Sequence, residues 1–493
     1  MHRRGLWALL LCAAAAAQSN QPPAIPPALE SITAARLRGH VSFLASDLLE
    51  GRDSPSRGLD IAAEYIASQF RALDLEPLGD NGYFQTIHWE VLDSAPTGIT
   101  LTLDGAPVDP KFFRVTAGGS IDAEGPIANL APGETEGRIV RLESAKPSTI
   151  ADAIRILRNA PPAVVLIPDE HDTLRKAGVF NPRALITPGG PPRGKYVYVI
   201  LTGPAAALAA NAATARFHMP PALITPARLW NVAALLRGSD PALGAAAILL
   251  SAHYDHEGVR PDNAADPILN GANDDASGTA VLLEAARALA SLPERPKRSI
   301  LFLAFVGEEK GMLGSKHYVK NPLWPLDRTA ANLNFEMFGR TEEGEYTRPG
   351  QMTITGSGFS TVTDAVRQAT ADLGAVYFVN KQGNEEFFSR SDNLPFALQG
   401  IPAHTLTPGF SFADYHAPGD EWQKLDYANM QLAARIATLA ALRLANSPDE
   451  PSWNLNEPSV QRYAERQAAR RKATPGSPAP EATQPPHQPP LHP

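Results

Sequence analysis

Residues 299–306 read SILFLAFV and residues 246–251 read AAILLS; between them residues 277–290 read SGTAVLLEAARALA. Both short runs are apolar at nearly every position, as strands covered on both faces are. The stretch between them opens on Ser277 and repeats small and apolar residues at helical spacing, so it reads as a helix. A helix around Leu313–Val319 and a strand over Asn332–Met337 continue the alternation. Buried strands separated by helices predict the α/β class, with a mainly parallel central sheet flanked by helices. In open sheets of this kind a site forms beyond the carboxyl ends of the strands.

Upstream, Leu37, Val41 and Leu44 form one apolar stripe, and Ala62, Ile66, Phe70 and Leu73 form another, which Pro77 and Gly79 close. They predict two helices. Alternating runs between Phe84 and Leu103 predict short antiparallel strands. From about Lys111 to Thr225 the texture changes to short apolar strands (Ile139–Leu142, Ala163–Ile167, Tyr196–Leu201) broken by clusters such as ITPGGPPRGK. That predicts an inserted β-rich domain, with no catalytic spacing in it. The expected organisation is a main domain made of residues 18–110 and 229–446, interrupted by an insert at 111–228.

The two ends differ in kind. His2, Arg3 and Arg4 precede the apolar run Leu6–Ala17, which closes on Ala15-Ala16-Ala17; this has the form of a signal peptide at residues 1–17. The run is too short to span a bilayer, which needs about 20 residues. An exported chain, periplasmic or extracellular, is expected. The sole cysteine, Cys12, falls inside that run, so the mature chain would hold neither thiol nor disulfide. Residues 447–493 are expected to form a Pro-rich, largely disordered tail, since eight prolines fall between Pro475 and Pro493 with almost no apolar side chains. Within it, Gln461–Lys472 is basic and reads as a solvated helix end.

Composition narrows the classes. The 493 residues carry a net charge of −8, with 44% hydrophobic and 19% charged residues. That excludes a coiled coil, a membrane bundle and a disulfide scaffold, and it argues against a nucleic-acid or membrane partner, which a clustered cationic face would recognise.

Five segments place metal-ligand side chains at strand ends. SAHYDHEG carries His253 and Asp255; NGANDDASGTAVLLEAARAL carries Asn273, Asp274 and Asp275; FVGEEKGMLGS carries Glu308 and Glu309; NLNFEMFGR carries Glu336; FADYHAPGDEW carries His416. Each alone has a plainer explanation: helix capping for Asp274, Asp275, Glu308 and Glu309, a core position for His253, a surface one for His416. Together they are harder to dismiss. Glu336 sits in an apolar strand, where a carboxylate is costly unless paired, protonated or metal-bound. Two histidines and several carboxylates make the nitrogen and oxygen ligand set of zinc. The adjacent pair Glu308-Glu309 lets one carboxylate ligate while its neighbour faces water, the division that metal-assisted hydrolysis needs.

In this order the motifs resemble the co-catalytic di-zinc exopeptidase family, to which leucyl aminopeptidases, glutamate carboxypeptidase and the non-catalytic transferrin receptor belong. The resemblance covers Asn231 to about Leu444, extends to SDLLEGRDSPSRGLDIAAEYIASQF, and matches residues 111–228 by position to a protease-associated insert. It implies two Zn2+ per chain. His253 and Glu336 would hold one ion, Glu309 and His416 the other, with Asp274 between them. Glu308 would be the general base, and Asp255 would orient His253. A cis peptide is implied at Asp274-Asp275. Glu336 departs from the family, where Asp is common. The segment SRSDNLPFALQGIPAHTLTPG precedes His416, which makes Ser391, Asp392 and His404 candidates for the substrate pocket.

The activity implied is that of a secreted aminopeptidase acting on peptides. A carboxypeptidase or glutaminyl cyclase on the same fold, and a non-catalytic receptor-like protein, are the alternatives. GSG around Ser357 lacks the elbow of a serine hydrolase.

Overall fold

A computed structural model of the chain describes residues 25–473, apart from 95–96, 132, 158, 172, 177–182, 189–195, 261–264, 342–349 and 380. The expected signal peptide with Cys12, and the Pro-rich stretch beyond residue 473, lie outside the described residues.

Side chains alternate across a strand, so a strand apolar at every position must bury both faces. The strands Ala247–His253 and Ser299–Phe305 do this. Ile248, Leu250, Ala252, Ile300, Phe302 and Ala304 join one core, while Ala247, Leu249, Leu301, Leu303 and Phe305 join a second on the opposite face. In chain order the central sheet contains β1 (Phe84–Asp93), β2 (Arg183–Ile186), β3 (Leu223–Leu236), β4 (Ala247–His253), β5 (Ser299–Phe305), β6 (Thr329–Phe335), β7 (Gln351–Ile354), β8 (Val376–Tyr377) and β9 (Ala403–Thr407). Their order across the sheet is β8-β7-β9-β6-β4-β5-β3-β1-β2, and Glu76–Pro77 also pairs with β3.

The parallel character is concentrated at the centre, where β9, β6, β4 and β5 run side by side, and β8 pairs in parallel with β7 at one edge. The other pairings, β5 with β3 and β7 with β9 among them, are antiparallel. Of the two alternating runs expected between Phe84 and Leu103, Phe84–Asp93 pairs antiparallel with β3 here, while Thr100–Leu103 forms an antiparallel strand of another sheet.

Register brings the strand ends together. His253 stands opposite Phe305, Ser251 opposite Asn334, and Phe335 opposite Leu406. The residues just beyond each strand therefore open at one edge.

Helices α1 (Ala34–Leu44), α2 (Arg57–Ala72), α3 (Gly278–Ala290), α5 (Val362–Asp372) and α6 (Tyr427–Asn446) cover one face; α4 (Leu313–Lys320) and α7 (Gln461–Ala473) cover the other. Thr33 and Ser56 cap α1 and α2 by accepting from Arg36 N and Leu59 N. Leu37, Val41, Leu44, Ala62, Ile66 and Phe70 of the expected stripes are all buried, while Leu73, just past the end of α2, is only partly buried.

A second sheet has its own core. Its eight strands fall between Thr100 and Met219, starting before residue 111, and the helices Pro147–Leu157 and Gly203–Asn211 lie in the same stretch. Of this stretch, Arg183–Ile186 leaves the second sheet and pairs with β1 of the central one.

The tail expected at 447–493 requires correction as far as residue 473. Trp453 is 3% exposed, its Nε1 donates to Gly400 O at 3.2 Å, and its ring lies 5.1 Å from that of Tyr463 on α7. Val460, Tyr463 and Ala464 enter the same core. Those few apolar residues suffice to anchor the segment, although its overall composition is polar. Trp453→Ala is therefore expected to cost roughly 3–5 kcal/mol in chemical denaturation, as the loss of a large core side chain does.

Candidate metal centre

The residues just beyond the central strands build the site. His253 is the last residue of β4 and is wholly buried; its Nδ1 lies 3.2 Å from Asp255 O, and its Nε2 lies 3.2 Å from Asp274 Oδ1. Asp274 occupies the tight turn that opens α3. Its other oxygen, Oδ2, stands 3.1 Å from His416 Nε2. The two oxygens of one carboxylate thus face two different imidazoles. Glu309, on the turn after β5, places Oε2 3.3 Å from the same His416 Nε2. Glu336 directly follows β6, with Oε2 3.4 Å from Asn334 Nδ2.

Two donor groups result: His253, Asp274 and Glu336, and His256, Asp274, Glu309 and His416, the candidate ligand atoms of each lying within 4.8 Å of one another. Asp274 belongs to both. The five ligands expected from the sequence are therefore brought together, and Glu308 belongs to neither group. The Asp274-Asp275 peptide is cis, as the resemblance implies.

Supporting contacts hold the turn. Asp420 accepts from Asn273 N at 2.9 Å and Asp274 N at 3.0 Å; Asp275 Oδ1 accepts from Gly278 N at 2.9 Å and Met337 N at 3.0 Å. Asp255 Oδ1 accepts from Glu308 N at 3.1 Å. Arg52, fully buried, donates to Tyr254 O at 2.8 Å, Asn270 O at 2.7 Å and Gly271 O at 3.0 Å. Burial lowers its pKa to about 10, against the pull of Asp255, Asp420, Asp275 and Asp274.

The electrostatics are those of crowded buried acids. Burial pushes Glu336 up to about 7, Asp392 and Asp420 up to about 6, and Glu308 well above the carboxylate range; Glu309, Asp392 and Glu336 add repulsion at Glu308. At Asp274 burial acts in the same sense, but contacts with His253 and His416 overcome it and hold the group well below its ordinary value. Burial opposes charge on His416 too, yet Asp274 and Glu309 raise it to about 10. His253 Nε2 is buried and makes no hydrogen bond among the described residues. An imidazole nitrogen in that position beside converging carboxylates suits a cation, whose charge would relieve the acid crowding; the donor set fits zinc.

Beside these groups lies a cavity of about 330 Å³, lined by Asp274, Glu308 and Glu336 together with Met337, Phe387, Phe410, Phe412 and Tyr415. Ser391 lines it too, accepting from Asn334 Nδ2 at 2.9 Å.

The other two pocket candidates require correction. Asp392 is fully buried outside the cavity lining; it accepts a hydrogen bond from Ser315 Oγ and acts on Glu308 through its charge. His404 is a core residue, its Nδ1 2.7 Å from Thr355 O and its Nε2 2.6 Å from Ser360 Oγ, packed between Phe388 and Trp453. Sequence reasoning missed His256, Asp420 and Arg52 as parts of the site. The first two stand inside the quoted segments SAHYDHEG and FADYHAPGDEW, and Arg52 inside SDLLEGRDSPSRG.

The model of peptidase family M28 matches residues 231–441. Those residues belong to peptidase family M28. Aminopeptidase YwaD of Bacillus subtilis is 30% identical over 210 residues, 41% of this chain and 42% of that one. Probable leucine aminopeptidase 2 of Aspergillus fumigatus is 28% identical over 244 residues, 45% of each chain. The chain thus spans less than half the length of these two curated relatives. Among solved structures, the aminopeptidase from Aneurinibacillus sp. strain AM-1 superposes with a TM-score of 0.59 at 22% identity, covering 86% of this chain and 96% of that one.

His404 gives a pH test away from the donor groups. Burial pushes its pKa down to about 4 from 6.5, so the unfolded chain takes the proton first. Stability should therefore be lost as pH falls from about 6.5 towards 4. In denaturation series across that window, His404→Gln should reduce the slope relative to wild type.

Proposed function

We propose that the chain is a zinc-dependent exopeptidase that removes N-terminal residues from peptides, working outside the cytoplasm after export. The observation that carries this reading is the division between Glu308 and Glu309. Glu309 points at His416 in a donor group, while Glu308 lines the cavity and belongs to neither group.

His253 and Glu336 would hold one Zn2+, Glu309 and His416 the other, and Asp274 both. When bound, the two ions supply a polarised scissile carbonyl and an acidified water. Glu308, which lines the cavity and belongs to neither donor group, would take a proton from that water and return it to the leaving amine. Asp255 fixes the Glu308 backbone through Oδ1 and stands beside His253 Nδ1, orienting both. The free α-amine of the substrate would bind near the second metal, which favours chain ends over internal bonds. The aromatic lining suits an apolar N-terminal side chain, and a volume of about 330 Å³ is at the small end for ligand pockets. We read the second sheet, Thr100–Met219, as the protease-associated-like insert. Among the described residues no helix is long and apolar enough to cross a membrane.

A panel of aminoacyl and amino-blocked reporter peptides tests this. Free N-termini with apolar first residues should be cleaved, blocked ones spared, and a chelator should abolish turnover. Cleavage of blocked peptides from their carboxyl ends would favour a carboxypeptidase. Glu308→Gln should retain both metals while turnover falls about a hundred- to ten-thousand-fold, the usual contribution of a positioned base; full activity in that variant would remove Glu308 from the reaction.

A further inference from the structure

His256 is wholly buried, three residues beyond His253, and takes no part in the chemistry above. Its Nδ1 lies 2.8 Å from Glu309 Oε1, whereas the other oxygen, Oε2, lies 3.3 Å from His416 Nε2. The carboxylate is thereby divided, one oxygen to each histidine. His416 Nε2 also meets Asp274 Oδ2, so the side of Glu309 that converges with other donors is the Oε2 side.

The surroundings of the ring decide where its proton sits. His256 Nε2 is buried and makes no hydrogen bond among the described residues. A proton on Nε2 would be an unpaired buried N–H and would leave two acceptors, Nδ1 and Oε1, 2.8 Å apart. A proton on Nδ1 removes both penalties and makes His256 a donor to Glu309.

The ring is also held in place. Its backbone N donates to Arg52 O at 3.3 Å, and it meets the His416 ring edge-on with centroids 5.5 Å apart. Gly271, at φ +57°, passes so close that a Cβ there would stand 2.4 Å from His256 Cγ and 2.3 Å from Asp274 O. Only glycine leaves room for the imidazole beside the turn that carries Asp274.

We infer that His256 is a positioning residue for the cation held by Glu309 and His416: its Nδ1–H fixes Glu309 Oε1 so that Oε2 alone faces the ion. This rests on the two-zinc reading above. Contacts of this kind, to a ligand rather than to the metal, typically change metal affinity by roughly 10- to 100-fold.

The test is zinc titration against a competing chelating dye, with visible spectra of the cobalt-loaded protein, for wild type, His256→Ala and His256→Asn. Wild type should take up two ions. In His256→Ala one ion should bind roughly 10- to 100-fold more weakly, with the other unchanged. His256→Asn places an amide N–H near the position of Nδ1 and should recover most of the loss, with a cobalt spectrum like that of wild type. Unchanged affinities in His256→Ala would overturn the inference. So would an asparagine variant as weak as alanine with a cobalt spectrum reporting a lost nitrogen ligand, which would make His256 a ligand itself. A wild type that binds fewer than two ions would instead overturn the two-zinc reading.

Discussion

Like charge confined at one sheet edge is the constraint on which the rest of the structure turns. Asp255, Asp274, Asp275, Asp392 and Asp420 are at most 3% exposed, and Glu308, Glu309 and Glu336 stand beside them. A carboxylate buried without a partner is expensive, and several together repel one another more strongly where water is excluded. The protein answers in three ways. Backbone N–H groups of the Asn273–Gly278 turn and of Met337 point at Asp420 and Asp275. The buried Arg52 guanidinium sits nearby, and His253, His256 and His416 are interleaved among the acids. The charge that protons and the nearby guanidinium groups leave uncompensated makes a place for multivalent cations.

This requirement accounts for features of the fold that packing alone does not. The central strands are apolar on both faces and end in register, so the ligating side chains emerge where the strands stop, at His253, Glu309 and Glu336. The Asp274 turn is tied to β4 through Arg52, whose donors reach Tyr254 on one side and Asn270 and Gly271 on the other. His416 arrives on a separate loop, at φ +51°, stacked on Tyr415 with ring centroids 3.9 Å apart. Rigid strands and a carboxylate shared between two imidazoles then define two adjacent sites.

Much of this was legible from residues 246–340, where the periodicity of the strands and helices marks both the layers and the edge at which the ligands emerge. Asp274 at a strand-to-helix turn and Glu336 after an apolar strand were readable because a charge in such a place needs a reason. The sequence was less informative where spatial neighbours are far apart in the chain. Asp392 adjoins Ser391 and His404 adjoins Thr405, both of which line the cavity, yet Asp392 and His404 face Ser315 and Ser360 instead. No local pattern reports which side of a short helix or strand such a residue takes. His256 reads as one more polar residue in a loop until Glu309, 53 positions later, is seen 2.8 Å from its ring. The fold of Trp453 and α7 was masked by polar composition, since a handful of apolar contacts anchors that segment.

The central claim is that one aspartate is shared by two cation sites. Crystals of the zinc-loaded protein, measured on both sides of the zinc absorption edge, test it without reference to activity. Two anomalous peaks about 3.5–4 Å apart, the spacing of co-catalytic metal pairs, should flank the Asp274 carboxylate. A single peak, or two that do not share Asp274, would contradict it.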